Sequence, residues 1–556
     1  MKTTNVTDAI EDYIFQANDE RHDISLPYRL ESEIAGIEIK TDVHEFFRSS
    51  ISYLRITPDQ QRSAIRFSND YTIERVASST LGLIVKLRYA DKPYLLWFPA
   101  APVLTQQDQH SRLTPTGGIH YLWSMQSHLE LKLSPTQQGQ DIFIPLLLAA
   151  SDVDELFSEL TALEECERRL YVKSEWFFSN DPGEVWGYLI NGSLYDPRSC
   201  PPVGKRFKCQ QCAYAWWTYF DYIHNQTKKK VWALLRDEIA LCALKDMEET
   251  GAWRNGFWFD NMEIHSRFQL DGLHLLISQY ERTESKQWLD AAKRGMGFVR
   301  EQLAETLDDG SVWYLHDDVH TSKRHQIRST AFGKSTGNSL CLNTHIQALT
   351  VLHRLSLHVV KENNPYETMF QDGINALQRV MAHQPADPLY RYFVPRLLVM
   401  SRDASRSTLG LIKKRLKKRF LAKVYWKVRA RYPRLVQPNG FIERDLTVEM
   451  ASDRYHVTNV KDLLTLYLQR PLPWLHTYIE NGFEFLLDYV KEVGIEAAIR
   501  RSPYFIEVAE IMYMYNKAVN PVSDQDLSDI IEGISRQTNG CSLDYYASDL
   551  VHIPES

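Results

Sequence analysis

GAWRNGFWFDNMEIH at residues 251–265, and DGSVWYLHDDVH at 309–320 with GKSTGNSLCLNTH at 333–345, each lead into a long segment of helical character. These loops are rich in Trp, His, Asp and Asn. In the segments that follow them, apolar residues recur three and four positions apart, which places them on one face of a helix. Polar and aromatic loops that repeatedly enter such helices are typical of a toroid of helical hairpins with a site at one mouth.

The helical segments after residue 205 come in pairs. Short links join the partners of a pair and longer loops separate one pair from the next, so the partners are expected to be antiparallel and the long loops to gather at one end. That end also receives helix N-termini, which favour anions. The predicted pairs are 210–226 with 229–249, 263–283 with 286–303, 338–360 with 365–384, and 455–470 with 471–493.

The region before these helices has a different pattern. Short β-branched and aromatic runs such as ISYLRI, GLIVKLRYA and IFIPLLLA alternate with Pro, Gly and Asp, as in an antiparallel β domain. A stretch rich in Gly, Pro and Asn at 179–205 marks its end. We predict an α+β multidomain protein: an N-terminal arm at 1–34, a β-rich domain at 35–204 and an α/α toroid at 205–556.

Composition narrows the function classes. The chain has 556 residues, 44% hydrophobic and 24% charged, enough to bury the cores of several domains. Its net charge of −7 argues against a global nucleic-acid binder. MKTTNVTDAIEDYIF lacks the apolar core of a signal peptide, and no run approaches about 18 apolar residues. We therefore expect a cytoplasmic protein that does not span a membrane.

The seven cysteines are an odd number, and we expect reduced thiols. Cys209 and Cys212 form a Cys-x-x-Cys pair, with Cys200 nearby, and this spacing occurs in zinc sites. Because no second pair follows at finger spacing, structural zinc is only a minor alternative. The prediction for the functional site is no metal and no cofactor.

The first polar loop supplies candidate substrate contacts and one candidate acid or base. Asp260 and Glu263 lie three residues apart where a helix begins, so one of them also fits a helix cap and the other the first turn. We assign Glu263 to acid–base chemistry. The predicted substrate-binding residues of this loop are Trp253, Arg254, Trp258 and Asp260.

The second polar loop contains the run HDDVH. Its side chains offer metal-binding atoms, but the run lies in a loop and lacks the i, i+4 spacing of helical metal ligands, so acid–base chemistry at His316 is favoured. Trp313, Asp317 and Asn343 are predicted to contact the substrate. For Asn343 the alternative is a hydrogen-bonded polar layer at the helix mouth.

The third loop, PNGFIERDLTVEMASDRYHVTNV at 438–460, resembles the C-terminal helical domain of the D-glucuronyl carbon-5 epimerases. That family has a Gly-x-Ile-Tyr-Asp-Leu-Arg run before Tyr-His-Thr-Thr-His and an apolar helix. The present chain differs from this pattern at three positions. Arg444 stands in place of the tyrosine, Thr447 in place of the arginine, and Asn459 in place of the second histidine. The matching positions are Gly440, Ile442, Asp445 and Leu446 in the first run, and Tyr455, His456 and Thr458 in the second.

The resemblance implies a β-rich region before an α/α barrel, catalytic roles for Tyr455 and His456, and a uronate as substrate. Arg254 or Arg444 would then bind the carboxylate. Epimerisation at carbon 5 needs a base and an acid on opposite faces of the sugar. Polysaccharide lyases on related toroids also use Tyr and His to remove the proton beside a carboxylate, so both reactions stay open.

We therefore expect a carbohydrate-active enzyme of cell-envelope polysaccharide biosynthesis, an epimerase or a lyase, which acts on a uronate-containing or anionic glycan by proton abstraction beside the carboxylate. Two alternatives stay open. The first is a non-catalytic glycan-binding or scaffold protein, because several positions of the family pattern are not matched. The second is a glycoside hydrolase on an α/α toroid, which would need a carboxylate pair.

A basic segment at 406–434 contains no acidic residue. Leu409, Ile412, Leu416 and Phe420 recur three and four positions apart, so it is predicted as a basic amphipathic helix, inserted at 402–434. We give equal weight to two interpretations of this helix: attachment to an anionic membrane surface at the inner face, and packing on the barrel. The expected partner is a glycan or lipid-linked glycan. Nucleic acid is not favoured, and a homo-oligomer is compatible with the sequence.

Overall fold

In the computed structural model the chain divides into two compact units. The first comprises Met1–Ile264 and His274–Ala291, and the second comprises His265–Leu273 and Ala292–Ser556. The structure describes residues 2–5, 27–34, 37–57, 62–67, 71–89, 91–108, 112–115, 121–125, 129–133, 140–163, 172–173, 178–179, 181–196, 205–255, 263–318, 332, 339–359, 364–402, 420, 423–446, 453–493, 511, 514 and 515.

The first unit contains a nine-stranded sheet with strand order β2-β3-β4-β13-β8-β7-β6, in which β9 also pairs with β13 and β10 with β9. All its pairings are antiparallel. A four-stranded sheet has the order β1-β5-β12-β11, with β1 parallel to β5. The strands are β1 Lys2–Asn5, β2 Tyr28–Ile34, β3 Ile37–His44, β4 Ser49–Ile56, β5 Arg62–Phe67, β6 Tyr71–Ser79, β7 Gly82–Tyr89, β8 Lys92–Phe98, β9 Val103–Gln107, β10 Leu113–Pro115, β11 Tyr121–Met125, β12 Leu129–Leu133 and β13 Asp141–Ala149.

The sequence of β13, DIFIPLLLA, explains its central place. Every residue of this strand is buried, and a strand covered on both faces has a continuous apolar run instead of an alternating one. One face of β13 packs into an apolar core with residues of β3, β4, β7 and β8. The predicted β-rich region is confirmed. Residues 2–5 and 28–34, predicted as part of an arm, instead form strands that pair with β5 and β3.

The helical part of the first unit begins with α1 Val153–Thr161 and α2 Val185–Tyr188. Two small hairpins lie nearby in sequence: β14 Val172–Lys173 with β15 Phe178–Ser179, and β16 Leu189–Ile190 with β17 Ser193–Leu194. Helices α3 Gln210–Thr227 and α4 Lys230–Lys245 then form the first predicted hairpin. Residues 231–243 of α4 are all buried, which explains the apolar character around its whole circumference.

The second unit contains the later hairpins. α5 Ser266–Thr283 and α6 Lys286–Gln302 contribute residues to both units. Helix α7 (Leu342–Leu357) packs against α8 (Pro365–Ala382) and α10 (Asp453–Gln469), and α10 packs against α11 (Pro473–Val493). The predicted helices are confirmed, as is the pairing within the first, third and fourth predicted hairpins. The pairing of α5 with α6 and closure of the hairpins into a toroid stay predictions. The remaining elements are β18 Ala304–Thr306, β19 Val312–Tyr314, α7 Leu342–Leu357, α8 Pro365–Ala382, α9 Asp387–Arg402, α10 Asp453–Gln469 and α11 Pro473–Val493.

Most of the predicted basic amphipathic helix lies outside the described residues. Residues 423–431 are helical, and this end of the segment is partly internal. Arg429 and Glu443 form a fully buried ion pair at 3.2 Å, and Arg434 pairs with Asp387 at 2.9 Å. These two arginines are therefore structural and not available to an anionic surface. Among the described residues, no helix combines the length and the apolar character needed to cross a membrane.

Candidate active site

The loop after β19 places His316 and Asp317 beside the start of helix α5. His265 and Asp317 form an antiparallel bridge, and the Ser266 N–H donates to the His316 carbonyl oxygen at 3.0 Å. The position of the His316 side chain is therefore set by backbone hydrogen bonds between the loop and the helix start.

His316 lies between a carboxylate and a guanidinium. Its Nδ1 is 2.8 Å from Asp317 Oδ2, and Arg444 Nη2 donates to its Nε2 at 3.0 Å. Because a guanidinium only donates, Nε2 holds a lone pair and the network assigns the proton to Nδ1, which donates to Asp317. Burial, followed by the charge of Arg444, lowers the pKa of His316. A neutral imidazole oriented by a carboxylate is suited to act as a general base.

A second histidine lies against the first. The ring centroids of His265 and His316 are 4.7 Å apart with an interplanar angle of 65°, and His265 also stacks on Phe268 at 4.4 Å. Burial, and then the neighbouring His316, lower the pKa of His265 well below its ordinary value. Protonation of one ring disfavours protonation of the other, so the pair accepts a single proton at most near neutral pH.

The third loop reaches this histidine pair through Arg444. The Leu342 N–H donates to the Arg444 carbonyl oxygen at 2.9 Å, and the Leu446 N–H donates to the Ser339 carbonyl oxygen at 2.9 Å. These bonds fix residues 444–446 beside the start of α7. The loops that contain His316 and Arg444 are therefore both anchored at helix starts.

The Arg444 guanidinium also lies over the ring of Tyr455, with Cζ 4.8 Å from the ring centroid. Burial opposes the charge of Arg444, but Cys341, Asp445 and Tyr455 raise its pKa above the ordinary arginine value. The site thus contains a permanent cation whose planar donors match a carboxylate. His316 and Tyr455, both predicted as catalytic, each contact this guanidinium.

A partly buried ion pair lies in the first turn of α5 and reaches α10. Arg267 Nη1 is 2.9 Å from Asp462 Oδ2 and donates to the Asn343 carbonyl oxygen at 3.3 Å. The side-chain oxygen of Asn343 accepts from the Thr344 N–H and the Cys341 Sγ–H, both at 2.9 Å. Asn343 therefore has local partners, as in the alternative of a polar layer at the helix mouth, and its substrate contact stays a prediction.

His456, predicted as catalytic, is a crosslink between backbone segments. The Ile442 N–H donates to its Nδ1 at 2.9 Å, and its Nε2 is 3.0 Å from the Gly482 carbonyl oxygen. The side chain is buried, and burial lowers its pKa to about 4. Both ring nitrogens are occupied, so the contacts of His456 are those of a structural residue, and its catalytic role is an untested prediction.

Three other predicted site residues, Trp253, Arg254 and Glu263, belong to the first unit. Trp253 is buried in the first unit and its Nε1 donates to the Ala243 carbonyl oxygen at 2.8 Å. Arg254 forms an exposed ion pair with Glu248 at 2.9 Å. Glu263 is buried in the first unit, where its carbonyl oxygen accepts from the Asn255 N–H. Trp258 and Asp260 lie outside the described residues.

Trp313, predicted to contact the substrate, lies in the second unit and is fully buried. Its ring stacks on His345 at a centroid distance of 3.9 Å and an angle of 9°. This aromatic therefore packs in the interior, and contact with a substrate stays a prediction.

His265, Arg267 and Asp462 were not among the predicted site residues. A second histidine directly before a helix start was the available signal for His265. Among the described residues, the groups whose atoms could together hold a metal ion are Asp196 with Cys209 and Cys212, and Asp42 with Glu238 and Cys242, all in the first unit.

No protein-family model matches the chain, and no curated protein matches it. Solved structures with some likeness include a glycoside hydrolase of family 105 from C. acetobutylicum ATCC 824, with 9% identity and a TM-score of 0.32, covering 50% of this chain and 63% of that chain. A sugar epimerase from a ruminal bacterium has 10% identity and a TM-score of 0.28, covering 59% and 81%.

An endo-1,4-D-glucanase from Vibrio fischeri ES114 has 11% identity and a TM-score of 0.33, covering 65% of this chain and 89% of that chain. The chain thus covers less than two thirds of the length of the family 105 hydrolase. At these identities and TM-scores, the likenesses determine neither the substrate nor the reaction. They do not show the glucuronyl carbon-5 epimerase family.

Proposed function

We propose that the chain is a carbohydrate-active enzyme that removes the proton beside the carboxylate of a uronate-containing glycan, as an epimerase or a lyase. The observation that supports this most directly is the placement of Arg444, which donates to His316 Nε2 at 3.0 Å and lies over the Tyr455 ring. A carboxylate-binding cation between a neutral histidine and a tyrosine supplies the three groups that this reaction needs.

In the proposed mechanism the substrate carboxylate binds the Arg444 guanidinium and draws it away from His316. Nε2 of His316 then takes the proton from carbon 5, and its Nδ1–H strengthens the hydrogen bond to Asp317 as the ring becomes an imidazolium. The electron pair of the broken C–H bond moves into the carboxylate as an enolate. Arg444 stabilises that developing charge.

Tyr455 completes either reaction as the acid. In an epimerase, its O–H donates a proton to carbon 5 on the opposite face, and the configuration inverts. In a lyase, it donates to the oxygen leaving carbon 4, and the sugar ring gains a carbon–carbon double bond. The two reactions share the first step and differ in the second, in which the epimerase protonates carbon 5 and the lyase breaks the bond between carbon 4 and its oxygen.

We also propose that this enzyme acts in cell-envelope polysaccharide biosynthesis. A substrate that is a lipid-linked or free envelope glycan would suit a chain with a basic run at 406–420 in its sequence, since such runs are attracted to anionic headgroups. Membrane attachment through this run is proposed with the pathway.

The proposal is tested by incubating the protein with uronate-containing oligosaccharides in deuterated water, followed by mass spectrometry and ultraviolet absorbance. Deuterium at carbon 5 without cleavage identifies an epimerase, and cleavage with a new unsaturated absorbance identifies a lyase. Binding of the oligosaccharides with neither signal would overturn the enzyme proposal in favour of a glycan-binding protein. Cleavage without unsaturation would indicate a hydrolase.

A further inference from the structure

The first unit contains three metal-binding side chains in one place. One ligand atom each of Asp196, Cys209 and Cys212 lies within 4.8 Å of the other two. All three residues are buried, and neither cysteine is in a disulfide. Two sulfurs and a carboxylate oxygen are a donor set suited to zinc, which binds thiolate, imidazole and carboxylate ligands in a compact shell.

Backbone hydrogen bonds build this cluster from two chain segments that lie on either side of residues 197–204. The Asp196 N–H donates to the Phe207 carbonyl oxygen at 2.9 Å, and the Cys209 N–H donates to the Leu194 carbonyl oxygen at 3.0 Å. Tyr195 and Lys208 form an antiparallel bridge between them. The segment that ends at Asp196 is thus paired with the segment that enters α3, which places the carboxylate beside Cys209.

The two cysteines are arranged by the start of α3. Cys209 is the N-cap residue, and its Sγ accepts from the Cys212 N–H at 3.4 Å. This bond holds the sulfur of Cys209 beside the first turn of α3, which also contains Cys212. The Cys-x-x-Cys spacing is typical of two zinc ligands.

A buried cation lies next to the cluster. Arg206 Nε donates to the Asp196 carbonyl oxygen at 2.9 Å, and Arg206 Nη2 donates to the Gly187 carbonyl oxygen at 2.5 Å. Two thiolates and one carboxylate around a divalent ion leave one negative charge in excess, and a buried excess charge is costly unless it is paired. Arg206 supplies the balancing positive charge.

The other cluster of this kind has an arginine side chain bound to its members. Asp42, Glu238 and Cys242 also lie within 4.8 Å of one another, but there the Arg29 guanidinium donates to Asp42 at 2.6 Å and to Cys242 at 3.2 Å. A protein cation thus binds two of those three side chains directly. At the other cluster, the hydrogen bonds of Arg206 go to the carbonyl oxygens of Asp196 and Gly187.

We propose that Asp196, Cys209 and Cys212 bind a zinc ion, with one coordination position left for a fourth ligand. The ion would join the segment around Asp196 to the start of α3 and so stabilise the entry into the first helical hairpin. This site is independent of the proposed glycan chemistry, since none of its residues takes part in that mechanism.

The test is elemental analysis of the full chain after reconstitution with zinc ion alone and removal of the excess. About one zinc per chain is expected, as for a single site with thiolate ligands. Cys209→Ser and Asp196→Asn are expected to lose most of the zinc, whereas Cys242→Ser, a buried thiol of the arginine-filled cluster, is expected to retain it. Wild-type protein without zinc, or equal zinc in Cys209→Ser, would overturn the proposal.

Cobalt provides a second measurement, which does not require folded variants. Titration of the wild-type chain with Co²⁺ is expected to produce thiolate-to-cobalt charge-transfer absorption that saturates at about one equivalent and disappears on addition of zinc. Absence of that absorption would contradict cysteine ligation.

Discussion

Two loop-and-hairpin regions of the second unit follow the same plan. In one, the Tyr314 N–H donates to Nδ1 of His345 at 3.1 Å, and His345 Nε2 is 3.0 Å from the Gly373 carbonyl oxygen. In the other, the Ile442 N–H donates to Nδ1 of His456 at 2.9 Å, and His456 Nε2 is 3.0 Å from the Gly482 carbonyl oxygen. An aromatic residue, Trp313 or Phe441, stacks on each histidine.

The regions differ two residues beyond the hydrogen-bonded N–H. At that position the loop at 309–320 has His316, followed by Asp317. The loop at 438–460 has Arg444, followed by Asp445. These residues retain some exposure, with 13% for the His316 side chain and 15% for Arg444, whereas His345 and His456 are 0% and 1% exposed. The shared part of the plan is scaffold, and the part that differs supplies the proposed base, His316, and the cation, Arg444.

The largest effect is expected at His316. His316→Gln removes the general base and should slow deuterium exchange by roughly 10²–10⁴-fold, the usual contribution of such a group. His345→Gln is the matched control, because it changes a histidine of the scaffold in the same unit. Its exchange rate per folded molecule should stay within about tenfold of the wild type. Equal losses in both variants would remove the distinction between the two histidines.

The next largest effect is a loss of stability, expected when alanine replaces the glycine near the start of the loop at 309–320 or of the loop at 438–460. Gly440 and Gly310 both have positive φ, 84° and 86°. A Cβ at Gly440 would overlap the Asn481 carbonyl oxygen, whereas nothing lies within 4 Å of one at Gly310. Gly310→Ala should cost about 1 kcal/mol for the left-handed conformation alone, and Gly440→Ala about 3 kcal/mol or more. Urea denaturation measures both, and equal costs would show that the second loop adjusts freely.

The scaffold histidines make stability depend on pH. Burial lowers the pKa of His456 to about 4 and that of His345 to about 3, from the ordinary 6.5. The unfolded chain therefore binds protons first, so stability is complete above pH 6.5 and falls as the pH drops toward the folded-state values.

His456→Gln keeps a donor and an acceptor but does not titrate. Between pH 6.5 and pH 5 the free energy of unfolding of the wild type should fall by about 2 kcal/mol more than that of the variant. Parallel pH profiles would show that His456 is not buried as a neutral ring.

The smallest effect is expected at Arg254, the other arginine that the sequence offered as a carboxylate ligand. Its ion pair with Glu248 is 48% and 39% exposed, so Arg254→Ala should change stability by no more than about 0.5 kcal/mol and leave kcat/KM unchanged. Arg444→Ala should lower kcat/KM on the order of 10- to 100-fold. The opposite ranking would assign the carboxylate to Arg254.

The helical pairs could be predicted because apolar residues at three and four positions report directly on a helix face. The β region was predictable from short β-branched runs, but β1 and β2 were missed, since their pairing with β5 and β3 depends on other strands. His316 and Asp317 were predicted because chemically capable residues cluster in loops before helices, and Arg444 and Tyr455 were predicted from the family resemblance. The structure places Asp317 and Arg444 beside His316, and Tyr455 beside Arg444, while their roles stay predictions.

The roles of other residues depend on contacts distant in sequence. Nothing local to His456 indicates that its ring bonds to the carbonyl oxygen of Gly482, 26 residues later. Trp313 was predicted to contact the substrate because it lies in a polar loop, whereas in the structure it stacks on His345 in the next helix. Asp196 lacked any signal, because its place beside Cys209 depends on the pairing of segments on either side of residues 197–204.

The most direct test of this account is nitrogen-15 NMR of histidine-labelled protein, with and without a uronate-containing oligosaccharide and with signals assigned by the glutamine variants. We predict a neutral His316 protonated at Nδ1, whose signals shift on saccharide binding because Arg444 leaves Nε2, while His345 and His456 stay unchanged. Signals of His316 that do not respond to the saccharide, or responses confined to His345 and His456, would contradict the account.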